Sequence, residues 1–242
     1  MPIPQFKARV ARIRDLTHDV RELHLHLLDP SLIDFKAGQF ISFKILRKDH
    51  PVPTSRPYSI ASPPSLRGSV MLVFNLVQGG PGSTFLYSLK DGDEVNFSGP
   101  AGAFYLHDNE AREYLFVATG TGIAPIRSML YSLLERQAVN PITLYWGLRS
   151  ERDLYYQDEL EVLARSLPNF SFVITLSHPR ETWAGERGRV TRLVKEHASS
   201  VDNLAVYLCG NSGLIKDVTG IIHEKGLCPI YREKFYDDAI GT

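Results

Sequence analysis

The chain has 242 residues, enough for one large domain or two small ones with real cores. Its 27 basic and 27 acidic side chains give a formal net charge of +0. This balance argues against nucleic acid as the main partner, because neutralising phosphates requires a clustered excess of cations. No apolar run approaches the roughly 20 residues that span a bilayer, and the N-terminal residues lack the apolar segment of a secretory signal.

Cys209 and Cys228 are the only cysteines. Two cysteines are too few for a disulfide framework, a four-cysteine zinc site or an iron–sulfur cluster held by four thiolates. His24 and His26 have the spacing of metal ligands on a strand, but no third ligand accompanies them, so we interpret them as a solvated strand face. We therefore expect a cytoplasmic protein without a metal site, whose cofactor is organic.

The first hundred residues have the pattern of short strands separated by turns. Leucines alternate with polar residues over Arg21–Leu28, which is the period of a strand buried on one face. Similar alternation or short apolar runs occur at Phe6–Val10, Phe40–Leu46, Val70–Val77 and Asp93–Phe97. Predicted turns lie at Ala37-Gly38, Pro51–Pro53, Pro63-Pro64 and Gly79–Gly82. Such a pattern predicts a small antiparallel barrel or sandwich.

The pattern changes near residue 110, where strands and helices begin to alternate. Tyr114–Ala118 is an apolar strand, followed by a Gly-rich turn and a helical period from Ile126 to Leu134. Further strands are predicted at Ile142–Trp146, Phe170–Leu176, Leu204–Leu208 and Ile230–Tyr231, and helices at Asp158–Ser166, Val190–His197 and Leu214–Glu224. This alternation predicts a doubly wound parallel sheet. We place the two domains at residues 1–106 and 107–242.

Two Gly-rich turns follow predicted strands of the second half. Gly120–Pro125 opens a helix, whose N-terminal amides favour an anionic group. Cys209 and Gly210 follow Leu204–Leu208, and ligands of open α/β sheets bind at the carboxyl ends of strands. Taken singly, the first turn slightly favours a phosphate site over a tight connection that binds nothing, whereas Cys209 is better explained as a small buried hydrophobe.

In the first half, Arg56-Pro57-Tyr58-Ser59 places a cation, an aromatic ring and a hydroxyl within four residues. In extended backbone Arg56 and Tyr58 share one face, and Ser59 lies on the other. Arginine can pair with a phosphate, and tyrosine can stack on a planar ring. Gly79–Thr84 offers further backbone amides. The competing interpretation is a surface strand that carries these residues by chance.

Five motifs follow one another along the chain: Arg56–Ser59, Gly80–Leu86, Gly99–Phe104, Gly120–Pro125 and Cys209-Gly210. In this order they resemble the ferredoxin–NADP reductase superfamily of flavin-dependent oxidoreductases, over essentially the whole chain. The resemblance implies an N-terminal antiparallel β-barrel that binds FAD and a C-terminal doubly wound domain that binds NAD(P)H. It also implies hydride transfer from NAD(P)H to flavin N5, then electron transfer to a separate acceptor such as ferredoxin, flavodoxin or an oxygenase component.

The resemblance also implies roles for residues of the first half. Arg56 would hold the FAD pyrophosphate, Tyr58 would lie against the isoalloxazine, and Ser59 would hydrogen-bond near N5. The other implied FAD-binding residues are Pro57, Asn75, Leu76, Val77, Gly80, Gly82, Ser83 and Thr84.

In the second half, Cys209 and Gly210 would lie near the nicotinamide. Glu233 and Phe235 would approach the flavin from the nicotinamide side. The implied pyrophosphate cradle consists of Gly120, Thr121, Gly122 and Pro125. Ser59, Cys209 and Glu233 are thus the expected catalytic group.

The donor and the acceptor are less constrained. Arg149, Arg180 and Arg189 follow predicted strands where a 2′-phosphate would need cations, which favours NADPH over NADH. The alternative is that such arginines are solvated loop charges. Two other functions fit the same motifs: a reductase of free flavin, and an electron-transfer subunit of a larger redox complex.

Overall fold

The computed structural model describes residues 3–47, 50–108 and 112–236. The described residues up to Leu106, together with Arg127–Ser132, form one compact unit, here called the β unit. His107–Ile126 and the described residues from Leu133 onward form a second, the α/β unit. No helix in the described ranges is both long enough and apolar enough to cross a membrane.

The β unit contains one antiparallel sheet. Its six strands are β1 (Gln5–Asp15), β2 (Val20–Asp29), β3 (Phe40–Arg47), β4 (His50–Ser59), β5 (Ser69–Asn75) and β6 (Glu94–Ala101). They lie in the order β4-β3-β6-β1-β2-β5, and a bridge between Ile60 and Leu72 joins the two edges into a barrel. The alternating leucines of β2 are at most 2% exposed, because every second side chain of the strand points into the core. The predicted antiparallel barrel is confirmed.

Two segments of the β unit that the sequence marks as turns are regular structure. Pro51–Pro53 belongs to β4, whose register pairs Thr54 with Ile45. Because β4 ends the sheet order, its prolines cost few ladder hydrogen bonds. Pro81 and Gly82 begin a helix, α1 (Pro81–Ser88), with Gly80 as its N-cap. Pro81 suits the first helical turn because an N–H there would have no partner inside the helix.

The α/β unit is a parallel sheet with helices between its strands. The strands are β7 (Glu113–Thr119), β8 (Ile142–Leu148), β9 (Phe170–Leu176), β10 (Glu186–Arg187), β11 (Leu204–Asn211) and β12 (Ile230–Tyr236). The helices are α2 (Ile123–Glu135), α3 (Gln157–Ser166), α4 (Val190–His197) and α5 (Ser212–Lys225). The doubly wound parallel sheet is confirmed, and its shortest strand, β10, is an addition to the predicted set.

The strand order of this sheet creates a crevice at its centre. The order is β10-β9-β8-β7-β11-β12, so the chain moves outward from β7 in one direction and from β11 in the other. Cys209 of β11 lies beside Ala118 of β7 and, on its other side, beside Glu233 of β12. The Gly-rich turn after β7 and the Cys209-Gly210 pair therefore share the point where the winding reverses, which is where open α/β sheets bind ligands.

Candidate functional site

In the β unit, strand β4 and the start of helix α1 bring three predicted residues together. Arg56 and Tyr58 are half-buried on the same face of β4, as their spacing predicts, and Ser59 is buried. Gly82 lies directly beneath them, since a Cβ atom there would be 2.6 Å from the Tyr58 hydroxyl and 3.0 Å from Arg56 Cγ. Any larger residue would separate the helix start from the strand. The aliphatic part of the Arg56 side chain thus lies against the N-terminus of α1, whose first amides have no partner inside the helix.

Tyr58 is held in a fixed orientation by aromatic neighbours. Its ring packs edge-on against Phe43 at a centroid distance of 5.9 Å and against Phe74 at 5.5 Å. Burial raises the pKa of Tyr58 to about 12, and the nearby charge of Arg56 lowers it by a smaller amount. The phenol is therefore neutral at physiological pH and able to donate a hydrogen bond.

The segment between β5 and α1 is fastened by Ser83. The Val77 amide donates to Ser83 Oγ at 3.0 Å, and this hydroxyl lies 3.2 Å from the Gly80 carbonyl oxygen. The hydroxyl is therefore used within the turn. Leu76 and Val77 are 40% and 44% exposed, so the turn presents apolar side chains to its surroundings.

The other predicted residues of the β unit lie outside the group that Arg56, Tyr58 and Gly82 form. Asn75, the last residue of β5, is half-buried, and Thr84 is exposed in the first turn of α1. Pro57 is exposed and lies between Arg56 and Tyr58 in β4, so it occupies the opposite face of the strand. The structure brings Arg56, Tyr58 and Gly82 together and leaves Pro57 apart from them.

In the α/β unit, the turn after β7 packs against the end of β11. A Cβ atom at Gly122 would overlap the carbonyl oxygen of Cys209, so only glycine permits this approach. Gly120 has a positive φ of 51°, and its carbonyl oxygen accepts hydrogen bonds from Trp146 Nε1 at 3.0 Å and the Tyr155 hydroxyl at 3.1 Å. Thr121 and Pro125 are buried on either side of this contact. The turn is rigidly held, with its backbone against Cys209.

Thr119 adds a polar group that sequence reasoning did not select. Its Oγ1 atom is buried without a hydrogen-bond partner among the described residues. A Cβ atom at Gly210 would overlap this oxygen, so the hydroxyl lies beside the Cys209-Gly210 backbone. A buried hydroxyl without a partner costs free energy unless a ligand or water satisfies it. Its position at a strand end before a Gly-rich turn is the only sequence signal that pointed to it.

Cys209 and Glu233 form the electrostatic part of this crevice. Cys209 is fully buried, and burial followed by the charge of Glu233 raises the pKa of its thiol well above the usual value. Burial also raises the pKa of Glu233. Cys209 is therefore a neutral thiol at physiological pH, which suits packing against a ligand and not nucleophilic attack. Phe235, two residues beyond Glu233 on β12, is half-buried.

The three predicted arginines lie on loops at the carboxyl end of the sheet. The loops after β8 and β9 are joined by hydrogen bonds, among them one from His178 N–H to the Arg149 carbonyl at 2.7 Å. Arg180 is exposed, and Glu151 Oε1 accepts from its backbone N–H at 2.9 Å. Arg189 is the exposed N-cap residue of α4. Arg187 is different, because its guanidinium donates to the carbonyls of residues 180, 181 and 183 and so fastens the loop itself.

The geometry of both units suits two organic cofactors. The Arg56–Gly82 contact in the β unit fits a pyrophosphate with a planar ring beside it, as FAD would supply. In the α/β unit, the Gly122–Cys209 contact and the unpartnered Thr119 hydroxyl fit a nicotinamide nucleotide. The charge and the unsatisfied hydroxyl thus agree with the cofactors that the sequence motifs predict.

Two family models match successive parts of the chain. Residues 7–105 match the family model of the oxidoreductase FAD-binding domain, and residues 116–220 match that of the oxidoreductase NAD-binding domain. The chain is 33% identical over 247 residues to the reductase component DmpP of phenol 2-monooxygenase from Pseudomonas sp. (strain CF600), covering 100% of this chain and 68% of that protein. It is 37% identical over 214 residues to ferredoxin–NADP reductase B of Sorangium cellulosum (strain So ce56), covering 85% and 86%.

Solved structures of reductases have the same fold as this chain. The cytochrome P450 reductase GcoB of Amycolatopsis superimposes with a TM-score of 0.86 at 26% identity, over 98% of this chain and 71% of that one. A ferredoxin NADP+ reductase from Neisseria gonorrhoeae with bound FAD and NADP has the same fold, with a TM-score of 0.81 at 20% identity over 96% and 99%. The chain belongs to the ferredoxin–NADP reductase superfamily of FAD- and NAD(P)-binding oxidoreductases.

Proposed function

We propose that this protein oxidises NADPH through bound FAD and delivers the electrons to a separate acceptor, such as a ferredoxin, a flavodoxin or an oxygenase component. The observation that carries the proposal is the packing of Gly122 on Cys209 beside the unpartnered Thr119 hydroxyl. The names of two relatives support the acceptor class, since one is the reductase component of a phenol monooxygenase and the other a ferredoxin–NADP reductase.

The residues of the β unit would bind and orient the flavin. Residues 1–106 would form the FAD domain. Arg56 and the amides of the first turn of α1 would neutralise the pyrophosphate, while Tyr58 would lie against the ring and Ser59 would donate to it. When bound, FAD supplies the ability to accept two electrons from a nicotinamide and to release them one at a time.

The residues of the α/β unit, residues 107–242 in the proposed division, would hold the nicotinamide nucleotide. The amides of the Gly120–Pro125 turn would bind its pyrophosphate, and the Thr119 hydroxyl would gain the partner that it lacks. Cys209 would position the nicotinamide by packing as a neutral thiol. Burial raises the pKa of Glu233, so its carboxyl would keep its proton to a higher pH than an exposed glutamate does.

NADPH is proposed as the donor because Arg149, Arg180 and Arg189 place cations on the loops at the carboxyl end of the sheet. Glu151 opposes this preference, since its carboxylate already binds Arg180 and would compete with a 2′-phosphate.

We also propose a cytoplasmic location, where reduced cysteines persist, because Cys209 and Cys228 are both free thiols.

The first experiment is a visible spectrum of the purified protein, followed by anaerobic titration with NADPH and, separately, NADH. We expect a flavin spectrum that NADPH bleaches faster than NADH. A colourless protein that oxidises NADPH only with added free flavin would favour the free-flavin reductase instead. Flavin that neither nucleotide reduces unless another chain copurifies would favour the electron-transfer subunit.

Two arginine substitutions refine this test. Arg56→Ala should purify without FAD, whereas Arg67→Ala, which removes an exposed ion pair with Asp34 in the same unit, should keep it. Full FAD occupancy in Arg56→Ala would remove Arg56 from the flavin site.

Arg180→Ala should raise KM for NADPH by about tenfold and leave KM for NADH unchanged, because only NADPH carries the 2′-phosphate. Equal changes for both nucleotides would contradict the assignment of Arg180.

A further inference from the structure

The carbonyl oxygen of Gly120 is a point where three hydrogen-bond donors meet. The indole N–H of Trp146 donates to it at 3.0 Å, and the hydroxyl of Tyr155 donates at 3.1 Å. The backbone N–H of Ile123 donates to the same oxygen from the end of the short 3₁₀ turn Gly120–Gly122. A carbonyl oxygen has two lone pairs, so three donors saturate it and fix its direction. Trp146, Tyr155 and the Gly120 carbonyl are here called the carbonyl clamp.

The two side-chain donors of the clamp are buried and packed on each other. Trp146 of β8 is fully buried, and Tyr155, in the segment before α3, is 7% exposed. Their rings meet edge-on at a centroid distance of 4.8 Å and an interplanar angle of 89°. A buried indole N–H and a buried phenol O–H each need an acceptor, and both use the Gly120 carbonyl. The clamp is therefore held firmly by the core of the α/β unit.

Gly120 is held on its carbonyl side and open at its Cα atom. A Cβ atom built there would meet no heavy atom of the described residues within 4 Å, apart from those of its neighbours along the chain. The peptide bond from Gly120 to Thr121 is trans, so its N–H points away from its carbonyl oxygen. Holding that oxygen against Trp146 and Tyr155 therefore also fixes the direction of the amide at the start of the turn.

Tyr155 also connects this turn to the loops that carry the predicted arginines. It ends the segment that follows β8, which is braced where the Ser150 N–H donates to Asp153 Oδ2 at 2.8 Å. In the same segment, Glu151 Oε1 accepts from the backbone N–H of Arg180 at 2.9 Å. A continuous set of contacts therefore joins the Gly-rich turn to the loop after β9, and the Tyr155 hydroxyl is its link to the turn.

We propose that Trp146 and Tyr155 are positioning residues for the nicotinamide nucleotide, because they preset the Gly-rich turn by holding the Gly120 carbonyl. The inference rests on the proposed function, which assigns the pyrophosphate of the nucleotide to this turn. The two side chains act through the backbone and not by touching the nucleotide. A turn that is already ordered spares the nucleotide the cost of ordering it on binding. The clamp therefore raises affinity and leaves the chemical step unchanged.

The test is calorimetric titration of the FAD-loaded full chain with NADP+ and, separately, with adenosine 2′-phosphate, which has no pyrophosphate. Tyr155→Phe removes one donor of the clamp and keeps the ring that packs on Trp146. We expect this variant to bind NADP+ about fivefold more weakly, the effect of one hydrogen bond, and adenosine 2′-phosphate with unchanged affinity. The limiting rate of flavin reduction at saturating NADPH should equal that of the natural chain.

Tyr145→Phe is the matched control. Tyr145 precedes Trp146 in β8 and packs in the core on the opposite face of the sheet, so this variant should bind both ligands as the natural chain does. Equal affinity of Tyr155→Phe and the natural chain for NADP+ would overturn the clamp and leave the proposed function standing. Equal weakening of both ligands would indicate a general loss of structure and would also overturn it. A natural chain that does not bind NADP+ would overturn the proposed function, and the clamp with it.

Discussion

Cys209 is the buried residue against which the Gly-rich turn of the α/β unit packs, and its thiol stays protonated because of burial and the charge of Glu233. We expect Cys209→Ala to keep bound FAD and to slow its reduction by NADPH by about 10- to 100-fold, because a small misplacement of reacting groups has effects of this size. Stopped-flow single-turnover kinetics measures the rate. Cys228→Ala, the other free cysteine, is the matched control and should reduce at the natural rate. An unchanged rate in Cys209→Ala would remove Cys209 from the site.

Tyr58 gives the β unit a predictable response to alkali. Its pKa is about 12 in the folded protein, against an ordinary value of 10.0, because burial disfavours the phenolate. Between these values the unfolded chain loses the proton first, so the free energy of unfolding should fall as pH rises from about 10 to 12. Tyr58→Phe should show a smaller fall in urea unfolding across this range. Other groups with raised pKa values, among them Tyr87 at about 12, Tyr145 and Cys209, contribute to the fall that remains. An identical pH dependence in the variant would contradict the burial argument.

At the scale of single elements, helix α1 depends on one hydroxyl. Ser83 Oγ accepts from the Val77 amide and fixes the turn that carries Leu76 and Val77. Ser83→Ala should lower the free energy of unfolding by about 1–2 kcal/mol and weaken FAD binding, because an amide loses its partner. Ser88→Ala is the matched control, since Ser88 Oγ bonds the Phe85 carbonyl at the exposed end of the same helix. Denaturant unfolding and FAD titration check both; equal behaviour of the two variants would show that the turn does not need the Ser83 hydroxyl.

Strands and helices with a strong period were predictable, and the exceptions have physical causes. The alternating leucines predicted β2, and the spacing of apolar residues predicted α4 at its observed bounds, because burial of one face dominates both. The prolines of Pro51–Pro53 predict a turn, yet an edge strand tolerates proline because few of its N–H groups are needed in the ladder. Thr119 was not selected because a threonine at a strand end is ordinary, and only the fold reveals that its hydroxyl has no partner.

At the scale of the whole molecule, chain order and compact units do not coincide. Arg127–Ser132 lies in the middle of α2, beyond the predicted boundary at residue 106, yet belongs to the β unit. Arg127 Nη1 donates to the Ala61 carbonyl at 2.8 Å, and Ser128 Oγ donates to that of Ser62 at 2.7 Å. A Cβ atom at Gly38 would overlap Met129 Cε. The spacing of apolar residues predicts that α2 is a helix. It does not predict which of the two units accepts the hydrogen bonds of its polar side chains.

Ser128 therefore should stabilise the flavin-binding part of the chain from outside its predicted boundary. The side chain is fully buried, and Ser128→Ala leaves the Ser62 carbonyl without this partner, which should cost about 1–3 kcal/mol. The temperature at which FAD fluorescence appears on heating should fall. Ser166→Ala, which removes an exposed hydroxyl bonded to the Val162 carbonyl on α3, should leave that temperature unchanged. If both variants release FAD at the natural temperature, residues 127–132 do not support the β unit, and the boundary at residue 106 describes its stability adequately.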